Sequence, residues 1–301
     1  MPLRPALEAE ATSLLRLSTC DAAPAGAQRF GQKEDMMAYG QGDGNMCHYQ
    51  LDATKLEIIT VCYRFDDILK VTLAENHGHA DSYIVVTDHA DHATQDLCQR
   101  FSVRCVPTDL LKKNGRNFNK GAAINHGFGH FQYHGWRLHL DTDVLLPDSF
   151  RRMLFNHSNL ERDCIYGADR FDIIGKDGVS TLREAKCETP QHMFHSGVSP
   201  VYGGKVYPKM PSASSARFIS DLYGYVPIGF FQLWHASCQR PYPYGLGTAA
   251  HDDVMFGASW PEAKRRLLPS VFVGHVCGKP PSYAENWDGK RGQPRIDGNE
   301  K

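Results

Sequence analysis

The sequence has nine cysteines and no Cys-x-x-Cys pair. This excludes the common zinc-ribbon and thioredoxin-type spacings. The odd count fits reduced thiols, most of them acting as small buried apolar side chains. Long apolar runs are absent too, and none approaches the roughly 20 residues that a membrane-crossing helix needs. The opening stretch, MPLRPALEAEATSLL, carries Glu8 and Glu10 where a signal peptide would be apolar, so the chain reads as cytoplasmic, or at least unexported. Excess charge of one sign is also missing. A formal net charge of −1 excludes a broadly basic nucleic-acid-binding surface, though a local basic groove remains open. There is no internal repeat and no Walker A loop.

What is present is an ordinary globular balance, 42% hydrophobic and 22% charged over 301 residues, enough for one large or two modest domains. Residues 1–48 are poorly patterned, with Ala-, Gly- and Pro-rich stretches such as CDAAPAGAQRFGQ and some helical spacing over Leu7–Leu17. From Leu56 the pattern changes. Short β-branched runs (Leu56–Tyr63, Ser82–Asp88, VRCVPTD, WRLHLD) alternate with helical ones (DDILKVTLAENH, DHATQDLCQRF, NKGAAINHGFGHF). Such alternation predicts βαβ units and a parallel sheet covered on both faces, with ligands beyond the carboxyl ends of the strands. Asp88, Asp109, Asp141 and Asp143 each follow a strand and would line that crevice. After Phe155 the pattern is less regular: His195–Ser215 is a Gly-, Pro- and Ser-rich loop suited to a lid, GFFQLWHAS reads as a strand, HDDVMFGASW as a short helix, PSVFVGHV as a last strand, and 289–301 as a frayed tail.

The stretch WRLHLDTDVLLP raises the chemical question. Residues i and i+2 of an extended segment point the same way, so Asp141 and Asp143 would repel unless a cation lies between them. An Asp-x-Asp triplet arises roughly once by chance in a chain of this length, and an Asx turn is the bland reading. At the tip of a buried strand the pair could instead hold a divalent ion. FNKGAAINHG offers a helix start with Lys120 for an anion, or merely small residues that let a helix approach the sheet. In HDDV, Asp252 and Asp253 could supply a general base, or simply favour the helix dipole. His275 ends an apolar strand, where a lone histidine is more often structural than a ligand. The histidine clusters ENHGHADS and DHADHAT lack a closed ligand set.

Taken in order, ITVCYRFDDIL, IVVTDHADHATQDLCQRF, FNKGAAINHG, LHLDTDVLLP, HDDV and VGHV resemble the nucleotide-sugar glycosyltransferases of GT-A fold, family 2 in particular. The resemblance covers about Leu56 to Trp287. The final VGHV also resembles a segment of the polypeptide N-acetylgalactosaminyltransferases, and the C-terminal part is similar to galactosyltransferases as well. It implies an α/β, Rossmann-like, mostly parallel sheet flanked by helices, with an acceptor-side extension. The implied domain is 49–288, divided into a nucleotide-binding half, 49–155, and an acceptor half, 156–288. Asp141 would bridge ribose and metal. Asp143 and His275 would complete the site for Mn²⁺ (or Mg²⁺), and an imidazole ligand tilts the choice toward Mn²⁺. Val61, Tyr63, Arg64 and Asp88 would lie at the nucleobase, and Lys120 and Asn125 on the nucleotide side. Asp253 matches the catalytic aspartate, with Asp252 its rival because the family's Glu-Asp is replaced by HDD. Gly229, Phe231 and Trp234 would face the sugar and acceptor, the two rings by stacking.

The implied activity is metal-dependent transfer from a nucleoside-diphosphate sugar, UDP-linked, to a hydroxyl, with inversion. The partners would be the nucleotide sugar and a glycan or other hydroxyl acceptor. One alternative is transfer to hydroxymethylated bases of viral DNA, which would need a basic channel such as Arg151, Arg152, Lys205, Lys209, Arg265 and Arg266. A second is a nucleotide-sugar-binding module without turnover.

Overall fold

Leu56–Val61 alternates its side chains between two apolar layers, and this forms the middle of the molecule. In the computed structural model it is strand β1, buried along its whole length. Leu56 and Ile58 enter one core cluster, Ile59 and Val61 the other, as the period of two requires. The structure describes residues 54–115, 118–156, 159–174, 201–202, 205–206, 218–220, 223–245 and 248–277. The expected extension 1–48, the tail 289–301 and most of the expected lid, His195–Ser215, lie outside these residues.

The predicted alternation follows β1: helix α1 (Asp66–Asn76), β2 (Ser82–Asp88), α2 (His92–Arg100), β3 (Arg104–Thr108), α3 (Lys120–Phe128) and β4 (Trp136–Leu140). Helix α2 starts where it does because the Asp91 side chain caps it, accepting from the Thr94 backbone N–H. Helix α3 lies close to the sheet because it carries glycine there: a Cβ on Gly127 would come within 2.3 Å of Ile59 Cδ1. Next come β5 (Val144–Leu145), α4 (Phe150–Asn156) and β6 (Ile165–Ile174). Two short antiparallel pairs follow, β7 (Val201–Tyr202) with β8 (Lys205–Val206) and β9 (Phe218–Ser220) with β10 (Gly224–Val226). The described chain ends with β11 (Phe231–His235), α5 (Ala249–Ala258) and β12 (Arg265–Cys277).

One eight-stranded sheet, in the order β3-β2-β1-β4-β11-β6-β12-β5, joins both halves of the chain. β1 pairs in parallel with β2 on one side and β4 on the other, so the strand order reverses between them. In open α/β sheets this reversal opens a crevice at the carboxyl ends. β11 enters antiparallel between β4 and β6, and β12 runs parallel to β6. The fold is thus the expected helix-flanked, mostly parallel α/β sheet, with β11 reversed near its centre and β5 reversed at its edge. No helix of the described residues is long and apolar enough to cross a membrane.

Candidate active site

The Asp-Thr-Asp turn sits at the carboxyl end of β4, next to the reversal point. Its middle residue turns inward and anchors it: Thr142 donates its hydroxyl to the Val61 carbonyl at 2.8 Å, and its own carbonyl accepts from Thr72 at 2.6 Å. Asn76 adds bonds to the Val144 carbonyl (2.7 Å) and the Leu146 amide (2.8 Å). With the threonine committed to β1 and α1, the two aspartates project to the crevice side.

Each aspartate has its own cationic or imidazole neighbour. Lys120 Nζ lies 2.7 Å from Asp141 Oδ1, and His275 Nε2 lies 3.4 Å from Asp143 Oδ2. The backbone sets the second pair: His275 stands opposite Val144 in the β12–β5 ladder, and the Val276 amide donates to the Asp143 carbonyl at 2.7 Å. Burial pushes the Asp141 carboxyl up to about 7, opposed by Lys120 and reinforced by Asp253 and Asp143. Burial also raises Asp143, but His275 and Arg170 outweigh it, and this carboxyl lies below the usual range.

The Lys120 ammonium also reaches Asp253 Oδ2 at 2.9 Å, which joins α3 and α5 to the Asp-Thr-Asp turn. Tyr242 hydroxyl donates to Asp253 Oδ1 at 2.5 Å, and Gln232 Nε2 donates to the Asp253 carbonyl at 2.9 Å. Gly229 lies directly against this carboxylate: a Cβ there would fall 1.9 Å from Oδ2 and 2.2 Å from Cγ. Burial raises the Asp253 carboxyl, restrained by Lys120 and Tyr242. Burial lowers Lys120, but Asp141 and Asp253 together outweigh it and hold the ammonium charged. Of the two candidate bases, Asp253 is the one in contact with Lys120 and Tyr242, while Asp252 is only 1% exposed in the first turn of α5.

Tyr63, Arg64 and Asp88 gather at the ends of β1 and β2. Arg64 holds a left-handed backbone (φ 59°) because its amide donates to the buried Asp91 carboxylate at 2.7 Å. Tyr63 stacks on Phe118 with centroids 6.5 Å apart, under the Lys112 ammonium at 4.7 Å. Asp88 accepts from the Ala90 amide at 2.9 Å and lies 3.9 Å from Lys112. Val61 is 7% exposed, and its carbonyl takes the Thr142 bond. Asp109 is exposed just beyond β3.

Several expectations need correction. Trp234 and Phe231 are not sugar-stacking rings: both are fully buried, Trp234 against Phe128 and Phe256, Phe231 against Phe150. Each stabilises the core by about 1.5–3 kcal/mol instead. Gly229 matters through the space it leaves for Asp253. Asn125 is occupied by the chain itself, bonding the Tyr242 carbonyl and amide at 2.7 Å each. Lys120, expected beside the nucleotide, is a buried counter-ion to two carboxylates. Among the described residues Arg151, Arg265 and Arg266 are engaged elsewhere rather than along the crevice, and Arg152 is exposed on α4. Arg151 bonds Asp81 and the His79 and Thr54 carbonyls at the amino ends of the strands. Arg265 is taken up by the carbonyls of Trp260, Tyr223 and Ala258, and Arg266 lies 3.8 Å from Glu161. Lys209 and the Lys205 side chain lie outside the described residues.

The sequence reading missed Tyr242, Gln232 and the exposed Tyr244. The only available signal was the Pro-Tyr-Pro-Tyr run at 241–244, which fixes backbone geometry without revealing which ring turns inward.

Among the described residues, Asp143 and His275 bring two possible ligand atoms to within 3.4 Å of each other. Two ligands at right angles, each about 2.1 Å from an ion, lie about 3 Å apart, near the Asp143–His275 spacing. A mixed carboxylate–imidazole pair suits Mn²⁺ better than Mg²⁺.

No protein-family model matches the chain, and no curated protein matches its sequence. Among solved structures, glucosyl-3-phosphoglycerate synthase from Mycobacterium tuberculosis with Mn²⁺, UDP and glucosyl-3-phosphoglycerate is similar at a TM-score of 0.41. The identity is 9%, over 73% of this chain and 71% of that one. The same enzyme with Mn²⁺, UDP and phosphoglyceric acid gives 0.43 and 10% over 73% and 70%. Mannosyl-3-phosphoglycerate synthase from Rubrobacter xylanophilus gives 0.32 and 13% over 38% and 40%. Likeness this distant decides nothing about the chemistry of the crevice, which rests on its own residues.

Proposed function

We propose that this chain is a metal-dependent glycosyltransferase of GT-A type, moving a sugar from a nucleoside-diphosphate donor, UDP-linked, to an acceptor hydroxyl. The observation that carries the reading is the assembly of Asp141, Asp143, His275 and Asp253 from three separate parts of the chain at the sheet's reversal point. Asp143 and His275 would hold a divalent ion, with Asp141 beside them. Such an ion neutralises the departing diphosphate. Tyr63, Arg64 and Asp88 would border the nucleobase.

Asp253 takes the proton of the attacking hydroxyl as general base. Burial favours that role by raising its proton affinity, and Lys120 keeps the buried carboxylate ionised between turnovers. One base on the acceptor side implies direct displacement with inversion. On that side Tyr244 replaces the rings first expected there. It is 58% exposed, the one exposed large apolar side chain among the described residues, and the neighbouring Pro243 carbonyl lies against Gly121, next to Lys120.

The test is release of nucleoside diphosphate from UDP-, GDP- and dTDP-sugars, with Mn²⁺ and with chelator, water serving as acceptor. Metal-dependent release from one donor, lost in Asp143→Ala and in Asp253→Asn, is expected. No release and no calorimetric binding of any donor would refute the proposal.

A further inference from the structure

We infer that Tyr242 is a positioning residue for the base, holding the Asp253 carboxylate in the one orientation that leaves lone pairs for an acceptor; this rests on the assignment of Asp253 above. A carboxylate offers about four lone-pair sites. Tyr242 takes one on Oδ1 and Lys120 one on Oδ2, and the Gly229 backbone closes the Oδ2 side. The remaining sites are therefore the ones an incoming hydroxyl would meet.

Tyr242 is itself fixed from three directions. Asn125 holds its backbone at both the amide and the carbonyl, 2.7 Å each. Its ring stacks on Phe256 of α5, centroids 4.3 Å apart. Its hydroxyl also lies 2.8 Å from Gln232 Oε1. The orientation of that amide follows from its nitrogen, which donates to the Pro227 and Asp253 carbonyls at 2.9 Å each and so leaves Oε1 as the acceptor. His139 Nδ1 lies 3.2 Å from the same oxygen and 3.4 Å from the tyrosine hydroxyl. The tyrosine has a single proton, and of its two acceptors the carboxylate Asp253 Oδ1, at 2.5 Å, is nearer than Gln232 Oε1, so the proton goes to Asp253. The seat is thus specified by four side chains, His139 of β4, Asn125 of α3, Gln232 of β11 and Phe256 of α5, all of them buried except the half-buried Asn125.

Tyr242→Phe removes only the hydroxyl and keeps the stacked ring. The expected result is a fall in kcat for Mn²⁺-dependent nucleoside-diphosphate release of roughly ten- to hundredfold, the size of a lost hydrogen bond to a charged group. Donor KM and Mn²⁺ affinity should not change. In an Asp253→Asn background the same substitution should cost nothing more, since its target is already gone. A role in folding alone would lower the rate equally in both backgrounds. Asn125→Asp, which breaks the clamp on the Tyr242 carbonyl without touching the ring, should lower kcat in the same way and covers the case in which Tyr242→Phe misfolds. Unchanged kcat, a shift in donor KM alone, or additivity with Asp253→Asn would each overturn the inference. If the Asp253→Asn rate is undetectable, the split between kcat and KM decides. Full activity of Asp253→Asn would instead remove the base assignment, and this inference with it.

Discussion

Replacing Gly229 by alanine adds one methyl group at the most crowded point of the site. That carbon would sit 1.9 Å from Asp253 Oδ2, 2.2 Å from Cγ and 2.6 Å from Oδ1, where ordinary contact begins at 3.4 Å. Something must therefore move by about 1.5 Å. Neither side can give way cheaply, because the carboxylate is bonded by Lys120 and Tyr242 and the segment bearing Gly229 leads straight into β11. If the carboxylate rotates, it loses charge-assisted bonds worth about 1.5–3 kcal/mol each. If the backbone shifts, overpacking costs about 1–3 kcal/mol. Misplacing a catalytic group by about 1 Å costs roughly a hundredfold in rate. The expected outcome is a loss of nucleoside-diphosphate release of about a hundredfold or more, with unfolding stability down by about 2 kcal/mol in urea titration. Gly78→Ala is the control, since nothing lies within 4 Å of a Cβ there. A Gly229→Ala enzyme with wild-type rate and stability would refute the packing of Asp253 against this glycine.

Other outcomes follow from the same geometry. Lys120→Met takes the shared ammonium from the buried Asp253 and the part-exposed Asp141 and should destabilise the fold by about 3 kcal/mol; Mn²⁺ should raise its melting temperature more than it raises that of the wild type, and equal shifts would argue against a shared cation site. Burial holds the Asp141 carboxyl up at about 7, and a metal needs the ionised form. Calorimetric Mn²⁺ affinity should therefore weaken as pH falls from 8 to 6, and a flat profile would contradict the raised value. Arg151, the Leu56 amide and Lys55 outweigh burial and hold Asp81 below its ordinary value. Its contribution is thus present above about pH 4 and lost as pH falls through the lowered folded-state value, so Asp81→Asn should be less stable than wild type at pH 7 and the gap should narrow steadily as pH falls below 4 in urea titrations. Tyr244→Ala should leave donor hydrolysis intact while weakening transfer to whichever glycan acceptor an activity screen yields, and Tyr244→Trp should retain it.

The first four strands were legible because each is a short β-branched run bounded by turn residues, and the three helices between them carry apolar residues at helical spacing. Strand β6 was not legible, since IYGADRFDII mixes charges into a run that only its pairing with β11 and β12 makes a strand. The carboxylates could be read as site candidates because polar residues at strand tips have few other reasons to be there. Their pairings could not: which cation faces Asp141 depends on how closely α3 approaches the sheet, a matter of glycine packing and not of spacing. Trp234 and Phe231 misled for the complementary reason, because an aromatic residue in a strand looks the same whether its face meets solvent or a neighbouring helix.

The pairing of β12 with β6 contains an irregularity: Leu267 stands opposite Gly167, but Phe272 stands opposite Asp169. Five steps along one strand answer two along the other, an excess of three, and an odd excess exchanges the faces of everything downstream. His275 reaches Asp143 only because of that parity. Length changes between Leu267 and Phe272 should therefore obey an even–odd rule, in which adding or deleting two residues preserves the imidazole's side of the sheet while adding or deleting one turns it away.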